Sequence, residues 1–350
     1  MESAPLEFFK RLLDTPSPSG YEKPVQDLVR EYLKPIADSV ETDLHGNVIG
    51  AKNASAPLRL MYAGHCDQIG MLVSQIDEMG FIYAQTIGGW DPQQLIGQRM
   101  VIWASNGPIP AVIARKPIHL LNDEERKTVV QTKDLWLDIG AKDQAEAKAL
   151  VRIGDPVTLK LGFEEMRNGL ANAPKMDNTT GLWVVLEALR RAGKLNCALY
   201  SVSTVQEEIG LRGAKTSAHG INPHVGIGVD VTHATDCPTI DKRQNGEVDL
   251  GKGPVIYRGP NMNPKVVDLL IEAAESHKIP YQLSALGKPA SNDSNALQMA
   301  QAGVAAGCVS IPNRYMHSAV EVCSLEDIDN AATLLARFAE MIEADHDFRP

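Results

Sequence analysis

The sequence predicts an α/β fold, a mostly parallel central sheet flanked by helices, with a small β-rich module inserted into it. Three observations predict this. From about residue 168 onward, apolar strand-like runs alternate with amphipathic helical stretches, the pattern of a parallel sheet with crossover helices. Between about residues 70 and 161 the texture changes to short strands punctuated by Gly and Pro, as in a small barrel. Strand and helix texture lies on both sides of that stretch, so the module reads as an insertion. We place the α/β domain at residues 1–70 and 165–350 and the inserted domain at 71–164. The 350 residues leave room for two such units, and 44% hydrophobic content is enough to build their cores.

Leu6, Phe9, Leu12 and Leu13 fall on one stripe of a helix over 6–14, and Val25, Leu28, Val29 and Leu33 on one over 22–33. The turn-rich TPSPSGY separates them. LRLMYA (58–63) reads as a buried strand ending at Gly64-His65. In the module the strands are FIYAQT, RMVIWA, IPAVIA, LWLDIG and DPVTLKL, interrupted by one helix over 143–150. GLWVVLEALRRAG (181–193) is an amphipathic helix presenting Leu182, Val185, Leu186 and Leu189, with Gly193 as its expected C-terminal cap. Strands LYSVSTV (199–205) and VGIGV (225–229) follow, then a helix near 263–277 and the helix DSNALQMAQAG. VAAGCVSI is the last strand. The final helix begins after Ser324 and turns Ile328, Ala332, Leu335 and Phe338 inward.

A net charge of −10 argues against a nucleic-acid binder, whose footprint is basic. It is compatible with holding cations and equally with plain solubility. The five cysteines are odd in number and include no CxxC pair, which fits a reducing compartment rather than a disulfide scaffold. The N-terminal stretch lacks the layout of a signal peptide. No apolar run approaches the roughly 18–20 residues of a membrane span. The expectation is a cytoplasmic protein that engages neither nucleic acid nor membrane.

The residues that carry chemistry cluster at predicted strand ends. His65 follows LRLMYAG, Glu207 and Glu208 follow LYSVSTVQ, Asp230 ends VGIGV, and His317 lies beyond VAAGCVSI. Asp177 directly precedes a helix. In an open parallel sheet, ligands bind outside the carboxyl ends of the strands, so residues distant in sequence converge there. Histidine nitrogen and carboxylate oxygen are the usual protein ligands of catalytic zinc. Two divalent ions bring four positive charges, and Asp177, Glu208 and Asp230 offset three. The residual charge favours a bound hydroxide as nucleophile, with an unligated carboxylate as general base. Adjacent Glu207 and Glu208 supply both roles, because consecutive strand residues point in different directions. Asp67, two residues beyond His65, is placed to hold the far ring nitrogen of that imidazole.

Each residue alone also has an ordinary reading. Asp177 could be a helix N-cap, Asp230 a turn residue, the paired glutamates a solvated face, and either histidine a satisfied core group. His233 comes closest among the other seven histidines. The set carries the argument.

At this set the sequence resembles the tetrahedral aminopeptidase family, relatives of the glutamyl and deblocking aminopeptidases. The matching stretches are GHCDQIG (64–70), PKMDNTTG (174–181), QEEIGLRGA (206–214), DVTHATDCP (230–238) and RYMHSAVEV (314–322), with PIHLL, LWLDIGA and RIGDPVT in the module. The resemblance implies a phosphorylase/hydrolase-like domain with an inserted small β-barrel or PDZ-like dimerisation domain. It implies His65 and Asp230 on one metal, Glu208 and His317 on the other, Asp177 bridging, Glu207 as general base and Asp67 orienting His65. A cis peptide after Asp177 is also implied, as is assembly of dimers into a tetrahedral dodecamer. Two zinc ions, or cobalt or manganese, would serve hydrolysis of N-terminal residues from short peptides. One departure is Thr179, where many relatives carry arginine. Arg314 and Arg243 are candidates to favour an acidic substrate. Two other readings compete: a glycoside hydrolase, since some relatives carry an endoglucanase label, and a non-catalytic metal- or peptide-binding scaffold.

Overall fold

The computed structural model describes all 350 residues, Met1 to Pro350. The chain opens with helices Ser3–Leu13 and Lys23–Leu33, then strands β1 (Ser39–Thr42), β2 (Val48–Lys52) and β3 (Arg59–His65). Six short strands follow: β4 (Gly70–Ile76), β5 (Ile82–Ile87), β6 (Arg99–Ala104), β7 (Gly107–Ala114), β8 (Trp136–Asp138) and β9 (Pro156–Leu159). They close into an antiparallel barrel in the order β4-β5-β8-β7-β6-β9. Its interior is a separate apolar core that includes Met71, Val73, Ile82, Ile102, Ile113 and Leu137. The helix Gln144–Leu150 interrupts the barrel strands as anticipated, whereas GMLVSQI, which forms β4, was not singled out in the sequence.

The chain then returns to the main sheet through β10 (Glu164–Glu165), β11 (Leu170–Asn172), β12 (Ala198–Thr204), β13 (Val225–His233), β14 (Val255–Arg258), β15 (Gln282–Ala285), β16 (Ala305–Arg314) and β17 (Val322–Ser324). The strand order is β1-β2-β12-β3-β13-β16-β17-β11-β10, with β14 also paired to β16 and β15 to β14. The four central strands β12, β3, β13 and β16 run parallel. The flanking strands are largely antiparallel, so the fold is α/β with a mixed sheet and a mostly parallel centre.

Period-two alternation sends β3 side chains to opposite faces. Leu60 and Tyr62 enter the large core under the helices Met176–Arg191, Pro264–Ser276 and Leu325–Met341. Met61 and Ala63 enter a smaller core under the helices Arg212–Ile221 and Asp293–Gln298. The helix Met176–Arg191 is buried nearly all round rather than on one face, because the sheet lies on one side and the last helix on the other. It ends at Ala192. The backbone N–H of Gly193 instead donates to Glu340. DSNALQMAQAG is helical only over Asp293–Gln298. The five cysteines are unpaired. No helix is long and apolar enough to cross a membrane.

Two glycines set how closely that central helix approaches the sheet. A Cβ on Gly64 would lie 2.6 Å from the carbonyl oxygen of Gly181, and one on Gly181 would lie 2.4 Å from that of Val229. Backbone meets backbone here, so neither neighbour can rotate away. The start of the helix therefore sits directly over the end of β3. Gly64→Ala should cost roughly 1–3 kcal/mol through overpacking. Thermal unfolding should show a clear drop in Tm for it, while Gly162→Ala, whose added Cβ meets nothing within 4 Å, stays near wild type.

Candidate active site

The parallel strands bring the predicted residues together at one edge. Thr204 of β12 pairs with His65 at the end of β3, and Glu207 and Glu208 follow just beyond. β13 is in register with β3 up to Gly228 and Ala63, so Asp230 and His65 lie two residues further along on neighbouring strands. Asp230 pairs with Ser310 of β16, whose extension carries His317. Asp177 arrives from above, in the first turn of the central helix but with a non-helical backbone. Its peptide bond to Asn178 is cis. The Asn178 side chain accepts the N–H of Gly181 at 2.8 Å, so the capping residue is Asn178 and the Asp177 carboxylate is free.

That carboxylate faces two imidazoles. His65 Nε2 lies 3.3 Å from one oxygen of Asp177, and His317 Nε2 lies 3.2 Å from the other. Asp230 completes a first group, 3.6 Å from His65 Nε2. Glu208 completes a second, 3.4 Å from His317 Nε2. In each trio, ligand atoms lie within 4.8 Å of one another, close enough to share an ion. One Glu208 oxygen is sealed from solvent without a hydrogen-bond partner, an unusual state for a carboxylate unless a cation is its partner. Nitrogen and oxygen donors of this kind suit a divalent ion.

Glu207 belongs to neither trio. Its carboxylate is buried and lies 3.9 Å from His65 Nε2. Burial pushes its pKa well up. His65 opposes that rise, and Asp230, Asp293 and Glu208 add to it. Burial alone would lower the imidazoles, but the surrounding carboxylates reverse this. The pKa of His65 is raised well above its ordinary value and that of His317 to about 11. Asp177 is held low despite its burial by hydrogen bonds with His317 and His65. The cluster is strongly electronegative and calls for compensating positive charge.

The divergence of Glu207 and Glu208 does not come from strand alternation. β12 ends at Thr204, Gln206 has a left-handed φ of 56°, and the glutamates sit in the turn that follows. The fully buried Asp67 fixes that turn: its two oxygens accept the N–H groups of Glu207 at 3.0 Å and Glu208 at 3.2 Å. Asp67 is also near His65, but the closest contact of His65 Nδ1 is the Asp67 backbone carbonyl at 3.0 Å, with the carboxylate at 3.4 Å. Ser19, in the turn-rich stretch after the first helix, donates to Asp67 at 2.7 Å, so that stretch is part of the site's support.

Three supporting groups escaped the sequence. Glu321 accepts the N–H of Asp177 at 2.8 Å on one oxygen and the N–H of His317 at 2.9 Å on the other, holding the latter residue at a left-handed φ of 58°. Burial, and then Asp177, push the Glu321 carboxyl up to about 8 against those two donors. Gly89, between β5 and β6 of the barrel, points its carbonyl at His317 Nδ1 at 2.8 Å and so selects the tautomer with Nε2 free. Asp293, the first residue of its helix, accepts from Thr204 Oγ1 at 2.6 Å. Burial raises it to about 7 even though His65 and this hydrogen bond pull the other way. Only the spacing of His317 and Glu321 hinted at any of them. His233 lines the cleft but joins neither trio. Thr179 is buried with its hydroxyl unpartnered. Glu321→Gln replaces one acceptor oxygen with a donor facing a buried N–H. It should cost roughly 1–3 kcal/mol in denaturant unfolding.

A profile of the M42 glutamyl aminopeptidase family matches residues 46–334. The chain is 36% identical to the lysyl aminopeptidase of Pyrococcus furiosus over 349 residues, covering 98% of this chain and 99% of that protein. Among solved structures it is similar to a TET aminopeptidase from a marine sediment archaeon of the Thaumarchaeota. The TM-score is 0.93 at 34% identity, with 97% of each chain covered. It is also similar to the Pyrococcus horikoshii TET1 peptidase, which can assemble into a tetrahedron or a large octahedral shell. There the TM-score is 0.85 at 27% identity, over 97% of this chain and 100% of that one. With a profile match over residues 46–334 and a 36% identical relative that covers 98% of the chain, this protein belongs to the M42 glutamyl aminopeptidase family.

Proposed function

We propose that the protein is a metal-dependent aminopeptidase that hydrolyses N-terminal residues from short peptides. The observation that carries the reading is the Asp177 carboxylate between two imidazoles, each with one further carboxylate beside it, and Glu207 left over. His65 and Asp230 would hold one divalent ion, Glu208 and His317 a second, and Asp177 both. Zinc fits these donors, as do cobalt and manganese. Bound there, such ions polarise a scissile carbonyl and make water acidic enough to be a nucleophile at neutral pH.

The chain's own residues do the rest. Glu207 is the general base. Its raised proton affinity suits it to take a proton from water and hand it to the departing amine nitrogen. Asp67 holds the backbone turn that carries Glu207 and its neighbour Glu208 by accepting both of their N–H groups. The cluster's carboxylates attract the free α-ammonium of a peptide, which favours cleavage at the N-terminus.

The glycoside hydrolase reading fares poorly. Such sites commonly add aromatic platforms to a pair of carboxylates, and none of Trp90, Trp103, Trp136 and Trp183 lines the cleft. A binding scaffold would leave Glu207 without a task.

Self-association through the inserted barrel is the second part of the proposal. Ile118, Leu120 and Val129 on that domain are each more than half exposed, and Ile153 is too. Exposed apolar side chains on this domain supply surface that a second copy would cover. A solved relative of 28% identity is described as a dodecamer, and the P. horikoshii TET1 peptidase forms a tetrahedron or an octahedral shell; these support a tetrahedral dodecamer as the assembly proposed here.

Glu207→Gln should abolish hydrolysis of aminoacyl nitroanilides, a loss of about 10²–10⁴-fold for a general base, while elemental analysis still finds two metals per chain. Retained turnover in that variant removes Glu207 from the role. Light scattering should give the mass of a dodecamer for the wild type and a smaller species for the Ile118→Asp, Leu120→Asp double variant. A monomer in the wild type would refute assembly.

A further inference from the structure

The cleft over the cluster has a volume of about 420 Å³. Four of its lining side chains are carboxylates, Asp177, Glu207, Glu208 and Asp230, and all four belong to the cluster just described. Further lining comes from the end of β13, from Tyr257 of β14 and from the segment 286–292 that joins β15 to the helix Asp293–Gln298. A single lysine or arginine lies along the whole lining: Lys288. Its side chain is exposed, and its ammonium makes no ion pair and no hydrogen bond. The segment carrying it is pinned at both ends. The N–H of Leu286 donates to the Arg258 carbonyl at 2.9 Å, Ala290 is buried, and Asn292 caps the following helix while donating to Cys308 Sγ at 3.4 Å. Lys288 is therefore a cation held at the rim of the cleft by a fixed backbone.

The two arginines that the sequence offered for this purpose are occupied. Arg314 makes a bidentate pair with Asp236 at 2.8 and 2.6 Å, and Arg243 pairs with Asp241 at 3.0 Å on the exposed surface outside the cleft. Both guanidinium charges are already matched. Away from the cluster, a negative group entering the cleft finds one lysine or arginine whose charge is unmatched. A basic side chain entering it finds that like charge and no spare carboxylate outside the cluster.

We propose that Lys288 is a specificity-determining residue that pairs with a carboxylate of the substrate. The proposal rests on the aminopeptidase reading. The carboxylate has two sources in a short peptide: an acidic side chain on the N-terminal residue, or the C-terminus of the peptide. Both present the same planar anion to the ammonium.

The test compares kcat/KM ratios in the metal-loaded wild type, Lys288→Met, Lys288→Arg and Lys288→Glu. One arm uses Glu-nitroanilide against Leu-nitroanilide, which have no terminal carboxylate. The other uses Leu-Leu against Leu-Leu-amide. In Lys288→Met one of the two ratios should fall roughly tenfold, through KM more than kcat. Lys288→Arg should restore most of it, and Lys288→Glu should raise the ratio of Lys-nitroanilide to Leu-nitroanilide. A fall in the first ratio assigns the acidic side chain, and a fall in the second assigns the terminus. If both ratios stay within about twofold of wild type, Lys288 has no such role, although the aminopeptidase reading stands. If the metal-loaded wild type cleaves none of these substrates, that reading fails and the role of Lys288 falls with it.

Discussion

The site depends on one carboxylate, that of Asp177, being presented to two imidazoles at once. A carboxylate at an ordinary helix start would be spent on capping the orphan N–H groups. Here the cap is supplied by Asn178, one residue later, and the N–H of Asp177 itself is taken by Glu321. The glycine contact between Gly64 and Gly181 lets the helix start descend until Asp177 lies over the end of β3. Without that approach, His65 and Asp230 would form an acidic pocket facing solvent, with nothing to link them to His317.

Around that carboxylate the protein concentrates negative charge that its own side chains do not balance. Asp177, Glu207, Glu208 and Asp230 surround two imidazoles, and the chain alone responds by drawing protons onto His65 and His317 and by raising the proton affinity of Glu207, Glu208 and Asp230. Buried like charges of this density are costly unless a cation meets them. The fold accepts this cost at one end of a sheet whose remaining interior is conventionally apolar. Such a local violation of core rules marks function more clearly than any single residue does.

The parts visible in the sequence were those with a local signature. His65, Glu207, Glu208 and Asp230 stood out because each follows an apolar strand, and a parallel sheet gathers strand ends. The insertion stood out because its strand spacing differs from the alternation around it. The invisible parts act through space. Glu321 works by accepting two backbone N–H groups from different segments, Ser19 by donating to Asp67 from a turn forty-eight residues away, and Gly89 by a carbonyl that no side-chain pattern encodes. Asp67 was singled out for the right neighbourhood, but its carboxylate chiefly anchors the glutamate turn. Arg314 looked free because the partner that neutralises it, Asp236, lies on a separate strand connection. Sequence reading finds where chemistry-bearing residues collect. The pairing that decides which of them remain available comes only with tertiary structure.

The barrel is a separate unit with its own core, yet it also borders the site. It enters the chain directly after β3, the strand that ends in His65, and its Gly89 carbonyl fixes the tautomer of His317 on the far side of Asp177. Gly88, beside it at a left-handed φ of 73°, brings backbone close to Glu208, so a Cβ there would lie 3.1 Å from that carboxylate. One side of the module thus lies against His317 and Glu208 of the second trio, and the same module carries exposed apolar residues. In this architecture the inserted domain serves as a wall of the candidate site, because its Gly88–Gly89 backbone lies against Glu208 and His317.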